Sequence, residues 1–161
     1  MTSDADETDA GSPERGAEVT LREITRDTLH SVLALKVDDS QTKMVAANAV
    51  SIAQAHFSEE AWFRAIYAEK TAVGFAMLHC ALEKGEYFLW RLMIDARYQK
   101  RGFGAAAMRL LIAHVRTLPG AKVFETSFVD LPGGPEGFYQ QLGFKRTGEL
   151  EEGEVLVRLH L

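Results

Sequence analysis

The sequence contains little cysteine, no long apolar run and no excess of positive charge. Cys80 is the single cysteine in 161 residues, so an internal disulfide is excluded, and a zinc site is disfavoured because His79 beside it has no further thiol to join. No apolar run approaches the ~18 residues of a membrane span, and residues 1–18 lack the basic and then apolar layout of a signal peptide. We therefore expect a cytoplasmic protein that uses no metal and no membrane.

The excess of negative over positive charge lies at one end of the chain. The net charge is −5, and residues 1–18 alone carry six acidic side chains against Arg15, so residues 19–161 sum to zero. The first segment is polar and has almost nothing to bury, which predicts a disordered acidic tail over residues 1–18 and one folded domain over residues 19–161. Because this domain shows no basic excess, nucleic acid is not an expected partner.

Hydrophobic periodicity predicts an α/β domain. Residues 87–94 are aromatic and branched enough for a buried strand, and residues 105–116 carry apolar side chains at helical spacing. A helix that crosses between two strands requires them to be parallel, so strand 87–94 should lie parallel to a strand at residues 122–128. Strands 62–68, 71–82 and 87–94 are joined by short turns and should be antiparallel, and strands 144–150 and 154–161 should form a terminal hairpin. A first strand is expected at residues 19–24, with further helices at 25–35, 38–55 and 135–142.

A basic, glycine-containing turn separates strand 87–94 from helix 105–116. It includes Gln99, Lys100, Arg101, Gly102, Phe103 and Gly104. The first turn of a helix has unpaired N–H groups and a partial positive charge, and glycines let the main chain approach an anion closely. Lys100 and Arg101 add full charges. The pattern predicts a site for a phosphate or pyrophosphate.

Several interpretations of this turn remain open from the residues alone. It could be a helix start with incidental glycines. A dinucleotide-binding fingerprint also fits by letter, because Gly102, Gly104 and Ala107 spell G-x-G-x-x-A and Glu125 stands roughly where a ribose-binding acid belongs. That fingerprint is disfavoured because residues 96–101 intervene between strand and glycines. A Walker A loop is excluded, since no Gly-Lys-Ser or Gly-Lys-Thr follows.

Two motifs resemble those of the GNAT superfamily of acetyl-CoA-dependent N-acetyltransferases. Gln99-x-x-Gly102-x-Gly104 resembles the Q/R-x-x-G-x-G/A motif, and residues 137–144 resemble the F-Y-x-x-x-G-F element. The resemblance spans roughly residues 19–161. It implies an α/β GNAT fold: a mixed, mostly antiparallel sheet of about seven strands with a splayed central parallel pair and flanking helices.

The resemblance also implies a cosubstrate and a mechanism. Acetyl-CoA would bind along the strand and the glycine turn, and its acetyl group would pass directly to an amine without a covalent enzyme intermediate. A backbone N–H of Met93 or Ile94 would hold the thioester oxygen. Tyr139 is the candidate general acid, since a phenol with a pKa of ~10 matches a thiolate leaving group. The implied coenzyme-binding residues are Leu92, Met93, Ile94, Gln99, Lys100, Arg101, Gly102, Phe103, Gly104 and Ala105.

The sequence departs from the family around this tyrosine and offers no obvious general base. Pro132 and Pro135 stand where many members have asparagine and alanine, so the loop and helix entry should differ. Trp90 stands where some relatives have a glutamate that serves as base. Glu86 and Glu125 are the remaining candidates, acting through water, although each is more often a surface charge. Cys80 as an acyl carrier is less expected, because a single cysteine in an apolar strand usually packs in the core.

The acceptor is predicted from a narrower resemblance. Residues 35–37, 45–55, 65–67, 73–77 and 88–95 look like the bacterial spermine/spermidine acetyltransferase branch. This implies a polyamine or a similar small primary amine as substrate. The alternatives are another acceptor, such as an antibiotic amine or a peptide N-terminus, or a non-catalytic acyl-CoA-binding module. A homodimer is compatible with the family. Carboxylates that could face a polycation are Asp38, Asp39, Glu59, Glu60 and Glu86.

Overall fold

The computed structural model describes residues 11–161, and residues 1–10 of the predicted acidic tail lie outside the described residues. The strands are β1 (Val19–Arg22), β2 (Ala61–Ala68), β3 (Thr71–Ala81), β4 (Glu86–Ile94), β5 (Val123–Phe128), β6 (Lys145–Glu151) and β7 (Glu154–His160). The α-helices are α1 (Leu29–Leu33), α2 (Asn48–His56), α3 (Phe103–Arg116) and α4 (Glu136–Gln141), and 3₁₀ turns lie at Asp39–Gln41 and Ala96–Tyr98. Within residues 11–161, no helix is long and apolar enough to cross a bilayer.

All seven strands form one sheet in the order β1-β2-β3-β4-β5-β7-β6. Neighbouring strands are antiparallel except β4 and β5, which are parallel as the crossing helix requires. Only Phe88 with Glu125 and Leu89 with Thr126 are in register between these two strands. The rest of β4 diverges from β5, so the sheet opens at its centre. The predicted mixed sheet with a splayed parallel pair is confirmed.

A β-bulge reshapes β4 at the point where it leaves β5. Met77 pairs with Arg91 but Leu78 pairs with Leu89, so Trp90 is an extra residue without a partner on β3. Bulges re-aim side chains locally. The Arg91 guanidinium accordingly turns toward α2, where it donates to Oε1 of Gln54 at 3.3 Å.

Apolar side chains cover both faces of the sheet. On one face, α3 buries Phe103, Met108 and Leu111 in a cluster that also includes Phe124 and Tyr139. On the other face, α1 and α2 cover a smaller cluster that includes Val32, Phe75 and Met93. Each fully buried large apolar side chain contributes about 1.5–3 kcal/mol to the free energy of unfolding. The predicted inner side of helix α3 is confirmed, with Met108, Leu111, Ile112 and Val115 all buried.

The predicted helix at residues 38–55 is wrong in its first half. Asp38 accepts a hydrogen bond from Ser40 N and caps only the short 3₁₀ turn Asp39–Gln41. Ala47 then has extended dihedral angles, φ −58° and ψ 147°, so α2 begins at Asn48. Side-chain bonding of aspartate to the main chain competes with helix continuation, which apolar spacing alone does not reveal.

The segment before β1 lies against the glycine turn. Arg101 Nη1 donates to Ser12 Oγ at 2.6 Å and to the Pro13 carbonyl at 2.8 Å. In the other direction, Arg15 Nη2 donates to the Lys100 carbonyl at 2.8 Å. Residues 12–15, which fall within the segment predicted to be a disordered tail, therefore make defined polar contacts with the domain.

Candidate active site

A cavity of about 1430 Å³ runs from the glycine turn through the gap between β4 and β5. At one end it is lined by the start of α3. Along its length it meets the side chains and backbone of β4 and β5, and Tyr139 of α4. At the other end it reaches the face of the sheet that α2 covers, through Gln54. The divergence of the two strands thus creates a passage that connects both faces of the sheet.

The glycine turn is shaped to receive an anion. Gly102 caps α3 with φ +83°, a left-handed conformation that favours glycine. A Cβ placed on Gly102 would meet nothing within 4 Å, so the space beside it is open. The backbone N–H groups of Phe103, Gly104 and Ala105 belong to the first turn of this 14-residue helix and therefore have no intrahelical acceptor. Together with the helix dipole, they favour negative charge here.

Gln99 holds the glycine turn in place through two hydrogen bonds of its side chain. Its Nε2 donates to the Ile94 carbonyl at 2.9 Å and to Oε1 of Gln41 at 2.9 Å. These two hydrogen bonds tie the turn to the end of β4 and to the 3₁₀ turn before α2. The first motif position thereby fixes where α3 starts.

Most predicted coenzyme-binding residues meet in the cavity, and two do not. The cavity lining includes Leu92, Ile94, Gln99, Lys100, Gly102, Phe103, Gly104 and Ala105. Met93 lies outside it: its side chain is buried beneath α2, where Asn48 Nδ2 lies 3.7 Å from its sulfur. Arg101 also lies outside it, because its guanidinium is bound by Ser12 and Pro13.

The backbone of β4 shows which N–H groups are free in the gap. Asp95 N donates to the Val73 carbonyl at 2.8 Å, and Met93 is in register with Phe75. In an antiparallel pair the hydrogen-bonded positions alternate, so Met93 N–H is directed to β3. Leu92 and Ile94 direct their N–H groups toward the gap instead. Of the two predicted donors to a thioester oxygen, Ile94 is therefore open to the gap and Met93 is not.

Tyr139 lies on the α3-facing side of the passage, with 8% of its surface exposed. Its ring stacks on Phe128, with centroids 6.1 Å apart, and meets Phe144 edge-on at 5.6 Å. Burial raises the pKa of Tyr139 to about 12, although the Thr126 side chain opposes this shift. The pKa of ~10 assumed from the sequence is thus too low, and the hydroxyl stays protonated at neutral pH.

A group of polar side chains that sequence reasoning largely missed lies at the α2-facing end. Alternation along β3, β5 and β7 places His79, Glu125, Ser127 and Glu154 on this face, since their neighbours Leu78, Phe124, Phe128 and Val155 pack in the α3-side cluster. All four line the cavity. Period-two alternation around the apolar neighbours was the signal in the sequence that could have identified them.

Both carboxylates of this group, Glu125 and Glu154, already have partners within the protein. Glu125 Oε2 lies 2.8 Å from Nη2 of Arg158. Glu154 Oε2 accepts a hydrogen bond from Ser127 Oγ at 2.7 Å. Glu86, the other base candidate from the sequence, is exposed at the start of β4 and lines the cavity.

Arg91 brings a half-buried positive charge to the same end. Burial lowers the pKa of the Arg91 guanidinium, and Glu154 nearby opposes this effect. Its Nη1 donates to the Trp90 carbonyl and its Nη2 to Gln54, whereas its buried Nε has no hydrogen-bond partner in the described part of the chain. A buried N–H without an acceptor is unfavourable, so an oxygen atom of a bound molecule that accepts a hydrogen bond here would be stabilising.

The carboxylates that line the cavity, called the acidic mouth below, differ from those predicted to face a polycation. Of Asp38, Asp39, Glu59, Glu60 and Glu86, only Glu86 lines the cavity. Asp38 is occupied as the cap of the 3₁₀ turn. The acidic residues that do line the cavity are Glu86, Glu125, Glu151, Glu152 and Glu154.

Cys80 packs against the α3-side cluster, outside the cavity lining, and is a poor nucleophile. Burial, with a smaller contribution from Glu60, raises the pKa of the Cys80 thiol to about 11. The thiolate needed for acyl transfer is therefore scarce at neutral pH. Across residues 11–161, no cluster of three or more histidine, cysteine or acidic side chains is arranged to hold a metal ion.

Comparison with known proteins agrees with this geometry. Residues 22–144 match the Acetyltransferase (GNAT) family, and the chain belongs to that family. The predicted family and the predicted class of enzyme, one that transfers acetyl groups, are thereby confirmed.

Individual relatives extend the likeness. The chain is 28% identical over 142 residues to the spermine/spermidine N(1)-acetyltransferase of Bacillus subtilis, covering 83% of this chain and 91% of that protein. An acetyltransferase from Thermus thermophilus superposes with a TM-score of 0.70 at 17% identity, over 89% of this chain and 97% of that one. A GNAT family acetyltransferase from Elizabethkingia anophelis, solved with acetyl-CoA bound, gives 0.66 at 15% identity, over 89% and 98%.

Proposed function

We propose that this protein transfers the acetyl group of acetyl-CoA to the primary amine of a small molecule, with a polyamine as the acceptor. The observation that carries the proposal is the continuous passage from a helix N-terminus, through a gap in the sheet, to an acidic mouth on the opposite face. Such a passage can hold a phosphate-bearing donor at one end and admit a cationic acceptor at the other.

The residues present fit coenzyme A. The open space beside Gly102 and the free N–H groups at the start of α3 suit its phosphates. Lys100 lines the same end and adds a positive charge. The N–H groups of Leu92 and Ile94 and the carbonyl group of Leu92, which face the gap, suit the amides of a pantetheine arm, whereas the Ile94 carbonyl already accepts from Gln99. When bound, acetyl-CoA would supply an activated acyl group with a thiolate as the leaving group.

The chain's own groups supply the remaining chemistry. The N–H groups of β4 that face the gap stabilise the negative charge that develops on the thioester oxygen. Tyr139, protonated and buried beside the gap, donates a proton to the departing sulfur. The apolar rings around Tyr139 exclude water and fix the direction of its hydroxyl.

The acidic mouth and the resemblance to a spermine/spermidine acetyltransferase support a polyamine acceptor. With labelled acetyl-CoA, we expect turnover of spermidine or spermine with a kcat/KM at least about tenfold above that of butylamine, because each additional ammonium group interacts with the mouth. The release of coenzyme A gives an independent readout. Background rates with spermidine, spermine and putrescine alike would reject this acceptor class.

One observation favours a second acceptor class. The unpartnered Nε of Arg91 suits a carbonyl or carboxylate oxygen, as on a peptide N-terminus. Short peptides therefore belong in the same acceptor assay, where exclusive turnover of peptides would replace the polyamine assignment. An absence of acetyl transfer to every amine, with coenzyme still bound, would indicate a non-catalytic binding module.

A pair of matched glycine variants tests the coenzyme site. Gly102 and Gly148 both have positive φ, +83° and +86°, with nothing within 4 Å of a Cβ. Alanine at either position should cost about 1–2 kcal/mol of stability through the same backbone strain. In the parent protein, acetyl-CoA at about 100 times its Kd should stabilise the fold by about 2.7 kcal/mol and raise Tm by about 5–10 °C.

The two variants should differ in this thermal shift, measured by scanning calorimetry. Gly148→Ala should keep it, because Gly148 lies in β6 outside the cavity. Gly102→Ala should reduce it, because the methyl group enters the space beside the free N–H groups. Equal thermal shifts in both variants would argue against phosphate binding at this turn.

A further inference from the structure

One titratable side chain on the acceptor side of the passage has no role in the mechanism so far. His79, near the end of β3, lines the cavity, and 40% of its side chain is exposed. Its Nε2 lies 2.5 Å from Oε2 of Glu60, a residue that precedes β2 and does not line the cavity. The imidazole therefore stands between a carboxylate behind it and the passage in front.

We propose that His79 is the general base that deprotonates the acceptor amine, and that Glu60 positions its ring. The proposal rests on the proposed function and assigns a residue to the step for which sequence reasoning found only Glu86 and Glu125. A carboxylate bound to one imidazole nitrogen fixes the tautomer and orientation of the ring, which leaves the other nitrogen to exchange a proton. With Nε2 held by Glu60, that nitrogen is Nδ1.

The other polar groups at this end are less suited to the task. Glu125 is paired with Arg158, and Glu154 accepts a hydrogen bond from Ser127, so each carboxylate already has a partner within the protein. An imidazole also takes up a proton more readily than a carboxylate at neutral pH. Within residues 11–161, His79 is the histidine that lines the cavity.

The position of His79 relative to β4 supports this assignment. Its ring centroid lies 6.4 Å from that of Trp90, the bulge residue at which the gap begins. Tyr139 lies on the opposite face of the sheet, within the α3-side cluster. A proton acceptor for the amine and a proton donor for the sulfur thus approach the gap from its two sides.

The proton balance is simple. His79 Nδ1 takes a proton from the acceptor ammonium, whose nitrogen then forms the C–N bond to the thioester carbonyl carbon. The C–S bond breaks, its electron pair leaves on sulfur, and Tyr139 protonates that sulfur. The nitrogen loses a second proton, which restores the phenol, while His79 releases its proton to solvent. The sum is ammonium plus thioester giving amide, thiol and one proton.

Paired variants test each residue against a matched control. His79→Gln should lower kcat with spermidine about 10²-fold at neutral pH, whereas His160→Gln, an exposed histidine outside the cavity, should stay at the parental rate. Glu60→Gln should lower kcat about tenfold, and its exposed neighbour Glu59→Gln should not. Calorimetric affinity for acetyl-CoA and Tm should match the parent protein in all four variants.

The pH dependence separates a base from a binding residue. The charged groups on the strands next to His79 are Glu60 before β2, Arg64 on β2, and Glu86 and Arg91 on β4. Arg64 lies over Trp62 on the α3-facing side of the sheet, away from His79. A general base acts only in its unprotonated form, so kcat/KM of the parent protein should decrease toward acidic pH. In His79→Gln the deficit should shrink as pH rises toward the ordinary pKa of an amine, about 10.

A measurement without turnover examines the same arrangement. Long-range nitrogen–proton NMR of the protein alone should show a change in the tautomer or protonation of His79 in Glu60→Gln and none in Glu59→Gln. A deficit in His79→Gln that is constant across pH, or a parental rate in that variant, would overturn the base assignment and leave the acetyltransferase intact. A parent protein that acetylates no amine would overturn both.

Discussion

Replacing Tyr139 with phenylalanine should lower kcat for acetyl transfer about 10³-fold, as expected for the loss of a general acid. The affinity for acetyl-CoA should stay at the parental level, because the aromatic contacts with Phe128 and Phe144 need only the ring. With its pKa raised to about 12, the hydroxyl is a proton donor throughout the neutral range. Steady-state rates and calorimetric Kd values measure the two quantities separately.

Tyr67 offers the matched control. Its side chain is also buried, with 7% exposure, and the Arg22 guanidinium lies over its ring, but it does not line the cavity. Tyr67→Phe should therefore retain the parental kcat. A kcat in Tyr139→Phe within a factor of about three of the parent would exclude the phenol as the acid, since general acids contribute at least about 10²-fold.

Replacing Asp95 with alanine should lower the free energy of unfolding by about 3 kcal/mol, the upper end of the contribution of hydrogen bonds to a charged group. Asp95 follows β4 and is 2% exposed. Its carboxylate accepts hydrogen bonds from the backbone N–H groups of Lys36 and Arg97 and from the Arg97 guanidinium. Its loss leaves two partly buried backbone N–H groups without this acceptor and removes the hydrogen bond that links the end of β4 to the chain after α1.

The pH dependence of this effect has a definite sign. Burial alone would raise the pKa of Asp95, but the hydrogen bonds from Arg97 and Lys36 outweigh it and hold the pKa below its ordinary value. A depressed pKa contributes stability above the unfolded-state value, about 3.9, and loses it as pH falls through the lower folded-state value. Urea unfolding should thus show the difference between parent and Asp95→Ala shrinking as the solution is acidified below that range.

Asp38 provides the comparison for Asp95→Ala. It caps a 3₁₀ turn through Ser40 in the same way, but at an exposed position. Asp38→Ala should therefore be much less destabilising than Asp95→Ala at neutral pH. Similar losses in the two variants would show that burial does not govern the contribution of Asp95.

Local features of the fold and site could be predicted from the sequence. Three of these features follow one another in the chain: the apolar strand Glu86–Ile94, the turn with Gly102 and Gly104, and the amphipathic helix Phe103–Arg116. Hydrophobic periodicity and the residue types of the turn were therefore sufficient to predict them. The parallel relation of β4 and β5 followed from the crossing helix alone.

Features that depend on tertiary contacts could not be predicted. The bulge at Trp90, which directs Arg91 toward α2, arises from a register shift between β3 and β4. The hydrophobic pattern of the strand does not reveal such a shift. The pairing of Glu60 with His79 joins the turn before β2 to β3, and the raised pKa of Tyr139 depends on burial in the assembled core. The contacts of Arg101 with residues 12–13 were missed because a polar segment has no apolar pattern to place it.

The gap in the sheet also divides the sequence into two consecutive parts. β1–β4 with α1–α3 precede the exposed turn at Gly120, and β5–β7 with α4 follow it. Two register pairs join the parts across the sheet. Cutting the backbone at Gly120 would therefore yield two fragments that share a core, and a ligand seated in the gap would bridge them. Such a split protein could serve as a sensor, because the extent to which the two fragments reassemble would depend on the concentration of acetyl-CoA.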